Sequence, residues 1–347
     1  MTGKVNFASD YCQGCHPQIL ERLVETNMDV CAGYGTDERS AAARDAIRTA
    51  FGCPGAAVQF LVGGTQTNAT VAAALLRLTE GIVCADSGHI ATHEAGAIEA
   101  GGHKVLTIPN CEGKIRAEDL ARYMARWEAD LNNDHEVAPA MVYISQPTEY
   151  GTLYSYQELK DLSDICRAQG LIFYMDGARL AYGLASPEHD IPLEAYAELL
   201  DVFYIGGTKC GALFGEALVL PNPEICPRLF SIIKCEGALL AKGFVLGVQF
   251  ETLFKDALYF EVGRAALEGA SIIAKALEDA GIEQAIKSPT NQLFPVLTKE
   301  AAERLLEKLD MSFWDELDDG RVVYRIATSW ATTKEEAEMA ARAIRSL

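Results

Sequence analysis

Apolar and polar positions along the chain follow two alternating patterns. Short unbroken apolar runs, rich in β-branched and aromatic residues and closed by glycine or polar groups, predict buried strands. They fall at 57–62, 82–85, 104–108, 140–145, 171–175, 201–205 and 215–220. Between them apolar residues recur at helical spacing, predicting helices over 17–25, about 39–51 and 156–169, with an alanine-rich helix ending near Leu78. Strand–helix alternation of this kind predicts an α/β fold, a mainly parallel sheet with helices on both faces. Right-handed crossovers then gather chemistry at the strands' carboxyl ends. Beyond about 245 the pattern changes. One long helix is expected to about Ala280, then strands at 292–297 and 322–328 and a last helix from Lys334, forming a smaller α+β domain. The expected division is 1–245 for the large domain, with an N-terminal arm, and 246–347 for the small one.

Two strand ends carry the first chemical signal. The run Asp201–Ile205 is broken by Gly206 and Gly207, and Thr208 and Lys209 follow on a small-residue loop. A lysine there is either a solvated turn residue or a desolvated amine able to form a Schiff base. The run 171–175 ends in Asp176-Gly177-Ala178-Arg179. An acid at one strand end and a lysine at another suit pyridoxal phosphate (PLP): the acid pairs with the pyridinium nitrogen and the lysine holds the aldehyde carbon. Taken singly, Asp176 is a turn or cap residue. The two stretches together favour PLP.

Further stretches fit around this pair. Gly63-Gly64-Thr65-Gln66-Thr67-Asn68 joins a strand to a helix start, where free amide N–H groups can meet an anion. It is neither a dinucleotide fingerprint nor a Walker loop. His89 and His93, four apart, share a helix face, but Ile90 stands where a zinc protease has glutamate, so a ring packed on a cofactor or a proton carrier is the better functional reading. Ser9 and Asp10 precede the helix at 17–25 and read as capping residues. Arg325 sits within a strand pattern, where it needs a partner.

Composition narrows the partners. In 347 residues, 49 acidic against 30 basic side chains leave a formal charge of −19 with no basic run, which argues against nucleic acid or an anionic membrane as partner. No apolar run is long enough to span a bilayer, and residues 1–20 lack a signal-peptide pattern, so a cytoplasmic location is expected. The ten cysteines are scattered, many inside apolar runs. Cys12 and Cys15 form a lone C-x-x-C without a second pair, so no metal site is expected.

These motifs, with Glu94-Ala95-Gly96-Ala97 after His89 and with Arg325, resemble the low-specificity L-threonine aldolases. Those are PLP enzymes of the type I aspartate-aminotransferase fold, in its β-eliminating-lyase group. The resemblance runs from about Asn6 to the C-terminus. It implies that Lys209 carries the cofactor, Asp176 holds the ring nitrogen, His89 stacks on the ring, and Gly64, Thr65 and Thr208 bind phosphate. It also implies that Ser9, Arg179 and Arg325 hold the substrate carboxylate, with Arg179 reaching the cofactor as well. The site would be built at a homodimer interface, commonly within a tetramer, so that Lys242 reaches a neighbour's phosphate. The implied reaction is retro-aldol cleavage of L-threonine, L-allo-threonine and related β-hydroxy-α-amino acids to glycine and an aldehyde. His89, His93 or a water they order would serve as base. The sequence departs from the family where an Asn-Thr pair is common, reading Gln146-Pro147-Thr148-Glu149. Lys242 stands where arginine is frequent, and the nearest candidate for a second active-site histidine is His135. Competing readings are another type I PLP lyase or aminotransferase on the same scaffold, and a PLP-fold binding protein without catalysis.

Overall fold

A computed structural model describes residues 3–347. The first strand is β1 (Val5–Asn6). The central sheet then takes β2 (Ala57–Leu61), β3 (Glu80–Ala85), β4 (Lys104–Ile108), β5 (Ala138–Ser145), β6 (Ile172–Asp176), β7 (Val202–Gly206) and β8 (Glu216–Leu220). Their order across the sheet is β2-β8-β7-β6-β5-β3-β4. β8 runs antiparallel to both neighbours, and the remaining pairs are parallel. All seven strands expected from the apolar runs form. Both faces of the sheet are covered, so inward-facing residues alternate between two apolar layers. Phe173 and Met175 of β6 enter one and Tyr174 the other; Phe203 and Ile205 of β7 divide from Val202 and Tyr204 in the same way. Burial on both faces is why these strands read as unbroken apolar runs.

The long helix expected from 245 to 280 is two helices, Phe244–Phe254 and Leu258–Asp279, separated by the turn Lys255–Ala257. Asp256 (φ 52°) and Ala257 (φ 60°) are left-handed there. No glycine or proline marks the break, so periodicity alone runs through it. Packing decides it: the first helix lies on the helix Glu38–Ala50, with Gly247 so close to Ser40 that a Cβ would come within 2.2 Å of its Oγ. The second helix packs instead against the C-terminal helix Lys334–Arg345.

The strand expected at 292–297 is also interrupted. It divides into β9 (Gln292–Leu293) and β10 (Val296–Leu297) around Pro295, which lacks a ladder donor. After β11 (Leu309–Asp310) and β12 (Ser312–Glu316) comes β13 (Val322–Ala327), which pairs antiparallel with β9, β10 and β12. β12 is largely polar and half open to solvent, which hid it from a hydrophobic reading. β1 pairs in parallel with β11, and Phe7 is buried among Leu277, Leu309 and Ile326. The start of the chain is thereby strapped across the C-terminal layer, and Ala8, Ser9 and Asp10 lead from there towards the central sheet.

Candidate active site

The carboxyl ends of the parallel strands meet at one edge of the sheet. Gly64 and Thr65 follow β2, His89 follows β3, Glu149 follows β5, Asp176 ends β6, and Thr208 and Lys209 follow β7. Antiparallel β8 begins at the same edge with Glu216. Together they line a cleft of about 260 Å³.

Asp176 is buried on the cleft wall and takes four hydrogen bonds. Oδ1 accepts from Tyr204 Oη (2.5 Å) and the Ala178 N–H (2.9 Å); Oδ2 accepts from Tyr143 Oη (2.7 Å) and Asn68 Nδ2 (3.3 Å). Tyr143, Tyr174 and Tyr204 sit on the same face of three adjacent strands, and Tyr174 Oη donates to Asn68 Oδ1 (2.6 Å). Asn68 Nδ2 also donates to Glu94 Oε1 (2.7 Å), which lies 2.7 Å from His89 Nδ1. A carboxylate oxygen accepts, so His89 carries a hydrogen on Nδ1. One polar network therefore connects the acid at the end of β6 to the histidine after β3. The His89 and His93 rings stack at 5.7 Å between centroids.

Lys209 faces the same cleft. Burial, followed by the positive charge of Arg179, pushes its amine below the usual lysine range, against the pull of Asp10, Asp176 and Glu216. Glu216 is buried and pushed up to about 7. Hydrogen bonds from Thr208 and from the Gly207 N–H (2.9 Å) offset only part of the desolvation. On the β2 side the helix Gly64–Leu75 begins without a side-chain cap. Its first amide N–H groups are free for an anion. Gly64 is required by space, since a Cβ would lie 2.9 Å from Tyr204 Oη.

An outer cleft of about 360 Å³ continues from the first, sharing Tyr11, His89, Glu149, Arg179 and Lys209, and adding His93, Trp314 and Arg325. Arg325 on β13 donates to Ala8 O (3.1 Å) and Gln292 Oε1 (3.4 Å) and lies over the Trp314 ring. Its buried Nε has no partner, and neither has Ser9 Oγ. Burial holds the Arg325 guanidinium below its usual range.

Ser9 and Asp10 do not cap a helix. The helix Pro17–Glu25 is capped by His16, and Asp10 is instead ion-paired with Arg179 and accepts from Asn291 Nδ2 (2.9 Å). Burial would raise the Asp10 carboxyl, but the charges of Arg179 and Lys209 and these hydrogen bonds bring it down to about 2. Arg179 gives one N–H each from Nε and Nη2 to Asp10, which leaves the two hydrogens of Nη1 and the second of Nη2 for another group. Lys242 is exposed and lines neither cleft of its own chain; His135 is exposed on the short turn Asn133–His135.

Sequence reading had no role for Asp10 beyond capping, and none for Asn68 in holding Asp176, for Glu94, Glu149 or Glu216, or for the three tyrosines. The tyrosines did carry a signal, because a phenol inside a fully apolar strand run needs a hydrogen-bond partner.

The residues present fit PLP. The cleft offers a depressed lysine amine, uncapped helix amides beside Gly64 and Thr65, an acid immobilised by four donors, and a flat ring at His89. Fold and cleft together are those of a PLP-dependent enzyme of the aminotransferase fold. One similarity shows that fold alone: a double mutant of aspartate aminotransferase from Thermus thermophilus superposes with a TM-score of 0.72 at 14% identity, covering 99% of this chain and 92% of its own. The chain belongs to the beta-eliminating lyase family, whose model matches residues 6–340. It is similar to a threonine aldolase from Leishmania major, with 43% identity, 99% of each chain covered and a TM-score of 0.95. It is also similar to the low specificity L-threonine aldolase of Pseudomonas aeruginosa, at 29% identity over 98% of this chain and 96% of that protein.

Proposed function

We propose that the protein cleaves L-threonine, L-allo-threonine and related β-hydroxy-α-amino acids to glycine and an aldehyde. One arrangement carries the reading. A depressed lysine amine, a fixed acid and an arginine with a partner-free Nε converge on joined clefts, in a chain similar over its full length to threonine aldolases.

PLP, when bound, supplies the sink for the electron pair that cleavage leaves on the substrate α-carbon. Lys209 would hold the cofactor's aldehyde carbon, since a desolvated amine gives up its proton, and so presents its lone pair, more readily than a solvated one. Asp176 would hold the ring nitrogen, Gly64, Thr65 and Thr208 the phosphate, and His89 would lie against the ring. Arg325, Ser9 Oγ and the remaining N–H groups of Arg179 would grip the substrate carboxylate. A base on the outer cleft, which His89, His93 and Glu149 line, would take the β-hydroxyl proton. Burial and then the charge of His89 lower the His93 pKa, which favours the neutral, accepting ring.

No helix among the described residues is long and apolar enough to cross a membrane. We place the enzyme in the cytoplasm as a homotetramer built from dimers. Leu20, Val24 and Met28 stand exposed on and beside the helix Pro17–Glu25, which supports a covered face there, and exposed Lys242 could then serve a neighbour's phosphate. A division into 1–245 and 246–347, with the N-terminal strap crossing between the parts, fits the two sheets.

The test is product analysis with PLP and L-threonine. Equal amounts of glycine and acetaldehyde are expected. Pyruvate from cysteine or serine, or turnover that needs a 2-oxo acid, would instead place the protein among other lyases or the aminotransferases.

A further inference from the structure

Glu149 lies on the loop after β5, and it is one of the side chains common to both clefts. Its Oε1 accepts from the His89 N–H (3.0 Å) and from Ser145 Oγ (2.6 Å). Among the described residues no donor bonds its Oε2, which is not sealed in the core and is left to the cleft. Arg179 feels its charge but is paired with Asp10, so Glu149 is a carboxyl without a counter-ion. Two hydrogen bonds on one oxygen aim the other, a geometry suited to proton transfer at a fixed point.

On the aldolase reading above, we propose that Glu149 Oε2 is the group that removes the β-hydroxyl proton of the substrate. The O–H bond breaks and its proton passes to Oε2. The pair from that bond forms the carbonyl of the departing aldehyde. The Cα–Cβ pair remains on Cα, which takes up a proton to become glycine, and Glu149 returns its own proton to solvent. His89 and His93 are less suited than Glu149. His89 Nδ1 is anchored on Glu94 with its ring beside the cofactor position, and His93 is exposed, with Nδ1 bonded to Thr92 Oγ1 (2.6 Å).

The surroundings support a carboxyl that titrates closer to neutrality than usual. Burial raises it most. Ser145's hydrogen bond opposes this, Asp176 raises it further, and His89 lowers it. Arg179 faces it from beyond β6 and Cys84 from β3, while Tyr143, Tyr150 and Tyr154 belong to its own segment. Burial raises all three phenols and the thiol, so they stay neutral and leave Asp176, Arg179 and His89 to set the field.

The experiment compares wild type with Glu149→Gln, both loaded with PLP. Expected are a fall in kcat for threonine of about 10²-fold or more, loss of the acid limb of the kcat–pH profile, and dissociation constants for PLP and for glycine, which has no β-hydroxyl, within threefold of wild type. A variant that keeps kcat within threefold and retains the acid limb would overturn the assignment. So would equal losses in glycine or PLP binding, which would make Glu149 a brace for the His89 loop. Ser145→Ala supplies a second measure, because it keeps the carboxyl but removes a bond that lowers its pKa. The acid limb should move to higher pH, and an unmoved limb would assign it to another group. A wild-type protein that releases no aldehyde from threonine would overturn the aldolase reading itself, and this proposal with it.

Discussion

Asp10 and Arg179 are 169 positions apart in the chain and form a two-point ion pair beside Lys209. Nε lies 2.6 Å from Oδ2 and Nη2 3.1 Å from Oδ1, with the Asp10 side chain fully buried. The pair ties the N-terminal strap to the loop after β6, and it commits two of the five Arg179 N–H donors to Asp10.

The first prediction concerns this pair and pH. The Asp10 pKa is lowered from 3.8 to about 2 on folding. A depressed carboxyl contributes stability that is complete above the unfolded pKa and is lost as pH falls through the folded one. The window is therefore about pH 4 down to pH 2, and the contribution is about 2 kcal/mol. Asp10→Asn leaves a buried guanidinium without its counter-ion and should destabilise the protein at pH 7 by on the order of 3 kcal/mol. Urea unfolding at pH 7 and pH 2.5 checks both points: the gap between variant and wild type should narrow at the lower pH.

Lys209→Ala removes the amine that, on the proposed reading, would hold the cofactor covalently. Turnover should fall to background, and the near-visible absorbance of lysine-bound PLP should disappear. A variant that cleaves threonine at the wild-type rate would move the covalent site elsewhere.

Asp176→Asn preserves shape but removes the charge that would face the ring nitrogen. We expect kcat to fall by more than about 10²-fold with a much smaller change in KM. Tyr204→Phe and Tyr143→Phe each delete one donor to Asp176. A hydrogen bond to a charged group contributes about 1.5–3 kcal/mol, so each should lower kcat by roughly tenfold or more. Unchanged kinetics in both phenylalanine variants would reduce the tyrosines to packing.

Arg325→Lys keeps a positive charge but loses the planar fork that suits a carboxylate. Losing one partner of a desolvated pair costs about 2–5 kcal/mol, so the KM for threonine should rise by a decade or more with PLP affinity unchanged. The reverse result, weaker PLP binding at a normal KM, would remove Arg325 from the substrate site.

The central sheet was legible in the sequence because burial on both faces writes each strand as an apolar run, and because glycines mark the strand ends. Lys209 and Asp176 stood out for the same reason: each follows such a run, where a charge needs a purpose. Residues whose roles come from partners far along the chain were not legible in this way. Asp10 reads as a local cap until β1 pairs with β11 and carries it to Arg179. The break at Asp256–Ala257 is a packing decision between two partner helices, with no local residue to announce it.

By itself, then, the sequence determined the fold class and singled out Lys209, Asp176 and the glycine-rich turn at 63–68, since periodicity and turn chemistry are local properties of the chain. Only the tertiary structure decided how that site is wired. Tyr143, Tyr204 and Asn68 reach Asp176 across three strands and a helix, Glu94 sets the hydrogen on His89, and Glu149 turns one oxygen into the cleft. Hydrogen bonds and desolvation act through space between residues remote in sequence, and neither leaves a pattern in the order of the residues.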